Sequence, residues 1–246
     1  MKFVKEYTTR WHDTDATRIV RPTQLLVYMQ ETSNAHLDST GHNLDRLRDE
    51  HSLAFLLSKT KIALYAPLYA HEEIRVETFT AESRAFGFNR YYRILRGDEV
   101  IAAADTTWAL IDLNSRQLCK ADAFDFGFEH EPALDIGLPP RFRVPHNDEL
   151  ELLGERRIVY SDLDYNGHMN NTRYLDWVTD LLPSGFHKDR QVQEITLNYL
   201  SEAREGENLQ LQWEMRPEGI LVVDAQRTGE EISANHSRVF AAQIQF

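Results

Sequence analysis

From residue 54 onward the apolar positions gather into four runs rich in Val, Ile, Phe, Tyr and Thr, at 54–66, 72–83, 87–96 and 99–111, separated by hairpin-like breaks. The same pattern returns at 191–202, 207–216, 219–227 and 231–246. Runs of this kind predict strands. Each set is preceded by a short strand-like segment, at 3–10 and 155–161, and then by a helical stretch. In the later stretch Tyr174, Trp177, Val178 and Leu181 stand at i, i+3, i+4 and i+7, a single apolar stripe. In the earlier one Pro22 occupies a place where a first-turn proline is tolerated, and Gly41 suits the C-terminal end. The pattern predicts an α+β chain in which a long helix is wrapped by an antiparallel β-sheet, twice.

An internal repeat supports that division. At a constant shift of 149, "WHDTDATRIVRPTQLLVY" (11–28) lies under "YSDLDYNGHMNNTRYLDW" (160–177), bringing Asp13 to Asp162, Asp15 to Asp164, Thr23 to Thr172 and Leu26 to Leu175. Farther on, Ile62 matches Ile195 and Leu64 matches Leu197 at a shift of 133, the first half carrying the longer insertion after its helix. Between the halves, Pro132, Pro139, Pro140 and Pro145 resist both helix and central strand. The expected organisation is an N-terminal domain at 1–127, an ordered linker at 128–154 and a C-terminal domain at 155–246.

Composition narrows the function classes. With 246 residues, 42% of them hydrophobic, the chain can bury a sizeable core. A single cysteine, Cys119, excludes an intrachain disulfide framework and any Cys-rich zinc site, so a reducing, cytoplasmic setting is expected. No apolar run approaches the roughly 20 residues needed to span a bilayer, so no membrane partner is expected. A net charge of -12 disfavours phosphate backbones, and nucleic acid is not an expected partner. The most basic run, with Arg84, Arg90, Arg93 and Arg96, reads as a solvated strand face.

The chemistry-bearing residues concentrate in one loop. Asp164, Asn166 and His168 alternate just ahead of Asn170 and Asn171, at the expected start of a helix. Asp and Asn are favoured in turns and at N-caps, so capping by Asn170 or Asn171 accounts for part of the cluster. It does not account for all of it: the first half keeps the acid as Asp15 but has Thr17 and Ile19 where Asn166 and His168 stand. An acid, an amide and an imidazole beside a helix N-terminus could move a proton and stabilise an oxyanion. No second His stands at helical or strand spacing from His168, and Gly167 is isolated, so neither a metal nor a phosphate cradle is expected. Glu202, after Tyr199 and Leu200, is a second candidate; apolar neighbours would raise its pKa and suit it to act as a base.

These two segments resemble the acyl-acyl-carrier-protein thioesterases. "TQLLVYMQETSNAHLDSTG" is similar to the family's first helix, and "SDLDYNGHMNNTRYLDWV" to its signature. The resemblance covers nearly the whole chain and implies two tandem hotdog domains, no cofactor, and hydrolysis of a fatty acyl thioester on acyl carrier protein, which would terminate fatty acid synthesis. Carried over residue by residue, the family's catalytic Asp, Asn and His fall on Asp164, Asn166 and His168, and its catalytic Glu on Glu202. Many plant members have Cys after that Glu; Ala203 stands here, so a thiol acyl-enzyme at this place is excluded. The opening residues lack a Ser- and Arg-rich transit segment, which fits a bacterial-type cytosolic member. Water activation by Glu202 or Asp164 and direct attack by Asp164 both stay open. The acyl tail would run in the first half, with Phe55, Leu56, Leu57, Phe86, Phe88 and Trp108 as candidate lining. The rival readings are a hotdog acyl-CoA thioesterase, in which Asp15 could serve a second site, a non-catalytic acyl-binding protein and an acyl hydratase, whose His arrangement fits less well. A homodimer through sheet edges is left open.

Overall fold

The computed structural model describes residues 2–83, 85–139, 150–228 and 237–246. They form two compact units, 1–137 and 138–246, divided inside the segment expected as a linker. Pro140 and Pro145 of that segment, and 231–236 of the last expected strand, lie outside the described residues.

The first unit runs β1 (Phe3–Thr8), a 3-10 turn (Trp11–Asp13), α1 (Pro22–Ser39), α2 (Leu44–His51), β2 (Leu53–Leu64), β3 (Glu73–Thr80), β4 (Gly87–Arg96), β5 (Glu99–Asp112) and β6 (Leu118–Cys119). Its sheet is antiparallel in the order β1-β3-β4-β5-β2, with β6 on β5. Helix α1 starts at Pro22, whose missing N–H would have no intrahelical partner there anyway. It ends where Gly41 adopts a φ of 85°, a left-handed conformation in which a Cβ would be strained. Its buried face carries Leu25, Leu26, Met29 and Leu37 together with Tyr28, Thr32 and His36.

The second unit runs β7 (Glu151–Arg157), a 3-10 turn (Tyr160–Asp162), α3 (Arg173–Thr179), α4 (Ser184–Asp189), β8 (Glu194–Tyr199), β9 (Asn208–Arg216), β10 (Ile220–Arg227) and β11 (Arg238–Gln245). Its strands order as β8-β11-β10-β9-β7, again antiparallel. Counted within each unit, both sheets read first, third, fourth, fifth, second. Tyr174 of α3 packs on Phe240 of β11 with ring centroids 4.7 Å apart, which places the helix on the sheet.

Three expectations need correction. The second helix is not long: α3 covers 7 residues and α4 another 6, with Pro183 between them as the N-cap of α4. Pro183 lacks the N–H a continuing helix needs and disfavours the helical region for the residue before it, Leu182. Helix α2 was not anticipated because only Leu47 of its face is buried; Asn43 starts it by accepting the Arg46 N–H at 2.8 Å. Finally, the arginine run is not a solvated face. Arg84 lies outside the described residues, and Arg96 pairs with Glu72 and Glu99 at 3.2 and 2.8 Å. Arg90 is only 8% exposed: its Nη1 donates to Thr78 at 3.2 Å and His36 Nδ1 at 3.0 Å, and its guanidinium lies over the Phe128 ring. Strand alternation puts Arg90 on the same side as Tyr92 and Ile94, both fully buried.

Of the proposed acyl lining, Phe55, Phe88 and Trp108 form one aromatic group, with Phe55 5.5 Å from Phe88 and 6.5 Å from Trp108. Phe55 and Phe88 pack on a cluster built by Leu37, Leu47, Leu53, Leu110 and Phe126. Leu57 is buried and Phe86 is 45% exposed, so Phe86 stands apart from that core. Among the described residues no helix is long and apolar enough to cross a membrane.

Candidate active site

The loop after β7 is fixed by its own backbone. Val159 N–H donates to the Asp162 carboxylate at 3.0 Å, Asp164 N–H to the His168 carbonyl at 2.8 Å, and Asn170 N–H to the Asp162 carbonyl at 2.8 Å. Asp164 Oδ1 accepts from the N–H groups of Asn166 at 2.8 Å and His168 at 3.4 Å. The tight reversal requires a φ of 77° at Gly167. Met169 N–H then donates to the Ala203 carbonyl at 2.8 Å, tying this loop to the segment after β8 and bringing His168 opposite Arg204.

That pairing sets the imidazole beside Glu202: His168 Nε2 lies 3.3 Å from Glu202 Oε2. His168 is largely shielded at 22% side-chain exposure and Glu202 is more open at 39%. The apolar setting expected for Glu202 is absent, since Leu200 is itself 50% exposed. The backbone of Glu202 is held from below. Arg227 at the end of β10 donates to the Glu202 carbonyl, to Ser201 Oγ at 2.7 Å and to the Glu207 carboxylate at 2.8 Å. Tyr174 lies close to the same charges; burial first, then Glu207, Asp164 and Glu202, hold its hydroxyl well above the usual range, against the opposing pull of Arg227. Its phenol therefore stays neutral.

The helix start differs from expectation. Asn170 Oδ1 accepts from Thr172 N–H at 2.9 Å and Thr172 Oγ1 at 2.8 Å, and the Asn170 carbonyl accepts from Arg173 N–H at 2.9 Å. Thr172, not an asparagine, is the N-cap residue, and Asn170 already occupies two of the amides that could have faced an oxyanion. Asn171 contributes its carbonyl to the Tyr199 hydroxyl at 3.1 Å. The structure thus brings His168 and Glu202 together, with Asp164 shaping the turn beneath them and Asn166 exposed at its tip. Among the described residues no group of three His, Cys, Asp or Glu could hold a metal. Cys119 belongs to the first unit, in β6.

The sequence did not reveal Arg227, Ser201 or Glu207. Their signal is in the repeat, in a register that the structure corrects. Thr9 N–H donates to the Glu72 carbonyl as Ile158 does to Glu207, and Val20 N–H to Leu68 as Met169 does to Ala203, a shift of 135 on the accepting side, not 133. In that register Glu202 corresponds to Pro67, whose carbonyl accepts from Arg96 at 3.3 Å, with Arg96 paired to Glu72. Arg227 and Glu207 are the second unit's copy of Arg96 and Glu72.

A duplicated helix-on-sheet protein with an imidazole–carboxylate site in its second copy is the class these observations define. The model of the acyl-ACP thioesterase N-terminal domain matches residues 1–123 and that of the C-terminal domain matches 147–242. The chain belongs to the acyl-ACP thioesterase family. It is 22% identical over 232 residues to the chloroplastic palmitoyl-acyl carrier protein thioesterase of Cuphea hookeriana, covering 88% of this chain and 55% of that one. To the chloroplastic oleoyl-acyl carrier protein thioesterase of Coriandrum sativum it is 22% identical, covering 83% and 60%. The chain therefore spans little more than half the length of these plant relatives. Among solved structures it superposes on an acyl-ACP thioesterase from Bacteroides thetaiotaomicron with a TM-score of 0.87 at 21% identity, covering 100% of this chain and 97% of that one. For the 12:0-ACP thioesterase of Umbellularia californica the TM-score is 0.86 at 18% identity, covering 99% and 96%. At these identities the superpositions establish the fold.

Proposed function

We propose that the protein hydrolyses the thioester joining a fatty acyl chain to acyl carrier protein and releases the free fatty acid. In this reading both units are hotdog domains, at 1–127 and 155–246, joined by the 128–154 segment, and only the second works as a reaction centre. The observation that carries the reading is the 3.3 Å approach of His168 Nε2 to Glu202 Oε2, on a loop whose copy in the first unit has Ile19 and Pro67 at those places.

The chemistry follows from that pair. In the reactive arrangement the Glu202 carboxylate closes on Nε2 from 3.3 Å to accept its N–H, which leaves Nδ1 as the proton acceptor. His168 takes a proton from water as the oxygen attacks the thioester carbonyl; collapse of the tetrahedral intermediate expels the pantetheine sulfur, which receives the proton. Asn166, exposed at the turn, donates its side-chain amide to the carbonyl oxygen in this mechanism. Asp164 is a positioning residue: its carboxylate oxygen holds the N–H groups of Asn166 and His168, as Asp15 holds the N–H of Thr17 at 2.7 Å in a loop without the imidazole. Direct attack by Asp164 is thus not needed to explain why that acid is there.

Mass analysis of acid released from acyl-acyl-carrier-protein in oxygen-18 water tests the reading. One solvent oxygen in each released acid is expected, together with a free thiol on the carrier. No release of acid, or unlabelled acid accompanied by label in Asp164 after a single turnover, would refute it.

A further inference from the structure

We infer that the first unit's copy of the site loop, having lost the imidazole and carboxylate, is the surface on which an acidic protein docks, namely the carrier protein of the proposed reaction, on whose reading this inference rests. The two loops share their backbone bonds but not their charge. Arg10, Arg18 and Arg21 stand where the second loop has Val159, Gly167 and Asn170, and no Lys or Arg occurs anywhere in 158–172. In a chain of net charge -12 this is a local reversal of sign.

All three arginines are exposed, and the loop's own acids are taken up by N–H and hydroxyl donors. Asp13 is 8% exposed and accepts from Arg10 N–H and the Tyr28 hydroxyl, both at 2.6 Å; Asp15 accepts from Thr17 Oγ1 at 2.6 Å. Arg18 is the most telling position. It adopts a φ of 69°, a left-handed conformation that favours the glycine found at its counterpart. A long cationic side chain is present where the backbone would be more stable without one. Large exposed aromatic side chains stand on the same loop and on the segment bridged to it: Trp11 is 64% exposed with its ring 4.9 Å from that of His71, and Tyr69, opposite Ile19, is 43% exposed. Trp, Tyr and Arg together are the composition of protein-binding hot spots. Charge complementarity selects an acidic partner, and the guanidinium groups would speed encounter and set its orientation.

The test measures holo-acyl-carrier-protein binding at low salt by fluorescence anisotropy, alongside turnover of acyl-carrier-protein and of acyl-pantetheine. Arg10→Glu/Arg18→Glu/Arg21→Glu should weaken carrier binding, and the preference for acyl-carrier-protein over acyl-pantetheine, by about tenfold or more. Binding to the unaltered protein should weaken as salt rises. Arg18→Gly relaxes the backbone, so it folds at least as well, and it should still weaken binding by a smaller factor. Carrier affinity unchanged in both variants, or no carrier binding by the unaltered protein, would overturn the inference. If the unaltered protein binds carrier through these arginines but hydrolyses neither thioester, the catalytic reading fails and the docking surface stands.

Discussion

The loops at 9–21 and 158–170 make the same turns with different residues. Asp15 N–H donates to the Ile19 carbonyl at 2.9 Å, and Asp164 N–H to His168 at 2.8 Å; Arg21 N–H donates to Asp13 at 2.9 Å, and Asn170 N–H to Asp162 at 2.8 Å. Behind the first loop the Tyr28 hydroxyl donates to Asp13, whereas Trp177 at the matching place carries an indole under the Arg156 guanidinium. What the loops share belongs to the fold, and what differs is available for function. By that criterion Asp164, Arg227 and Glu207 build the scaffold, and His168, Asn166 and Glu202 are the additions.

The comparison can be broken most severely at Asp164. Asp164→Ala removes the acceptor for two N–H groups and should lower kcat/KM about a hundredfold through misplacement of His168. Asp164→Asn keeps an oxygen in the same place and should retain activity within about tenfold. Steady-state kinetics on both variants decides the matter, because equal and near-complete loss would make the acid a reactant. The matching change in the first loop, Asp15→Ala, should cost about 1 kcal/mol in denaturant unfolding and leave kcat unaltered.

Next in size is the arginine pair. Arg227→Ala frees the Glu202 carbonyl and should lower kcat about tenfold with little change in KM. Arg96→Ala, which frees Pro67, should lower the melting temperature without that kinetic effect. Equal kinetic losses in the two variants would mean that Arg227 acts only through stability.

The smallest expected effect concerns His36 in the first unit's core. Burial first, and the neighbouring Arg90 charge second, lower its pKa from 6.5 to about 4. The unfolded chain then binds the proton more readily than the folded one, so stability is full above pH 6.5 and falls as pH drops toward about 4. His36→Gln, which keeps an acceptor for Arg90, should flatten that slope in pH-dependent thermal unfolding.

Much of this was legible in the residues, for physical reasons. Runs of Val, Ile, Phe, Tyr and Thr between hairpin-like breaks located β1 to β5 to within a few residues, and the repeat at a shift of 149 matched the two loops atom for atom in their backbone bonds. His168 stood out because its counterpart is Ile19. Glu202 was a candidate from its strand neighbours, but its partnership with His168 could not be read locally, since its place depends on a partner 34 residues earlier and on an arginine 25 residues later. Arg90 was misread because charge outweighed alternation in judging the strand, although Tyr92 and Ile94 on the same face are buried. The break at Pro183 was written in the sequence and was overridden by the apolar stripe that runs on to Leu181.

The central claim is that one imidazole–carboxylate site, in the second unit, cleaves the acyl-carrier thioester. Fatty acid release from acyl-acyl-carrier-protein by the unaltered protein, His168→Ala and Ile19→Ala, each checked for folding, addresses it most directly. The account predicts release that falls by about a hundredfold or more in His168→Ala and persists in Ile19→Ala. A folded His168→Ala protein releasing acid at the unaltered rate would contradict it.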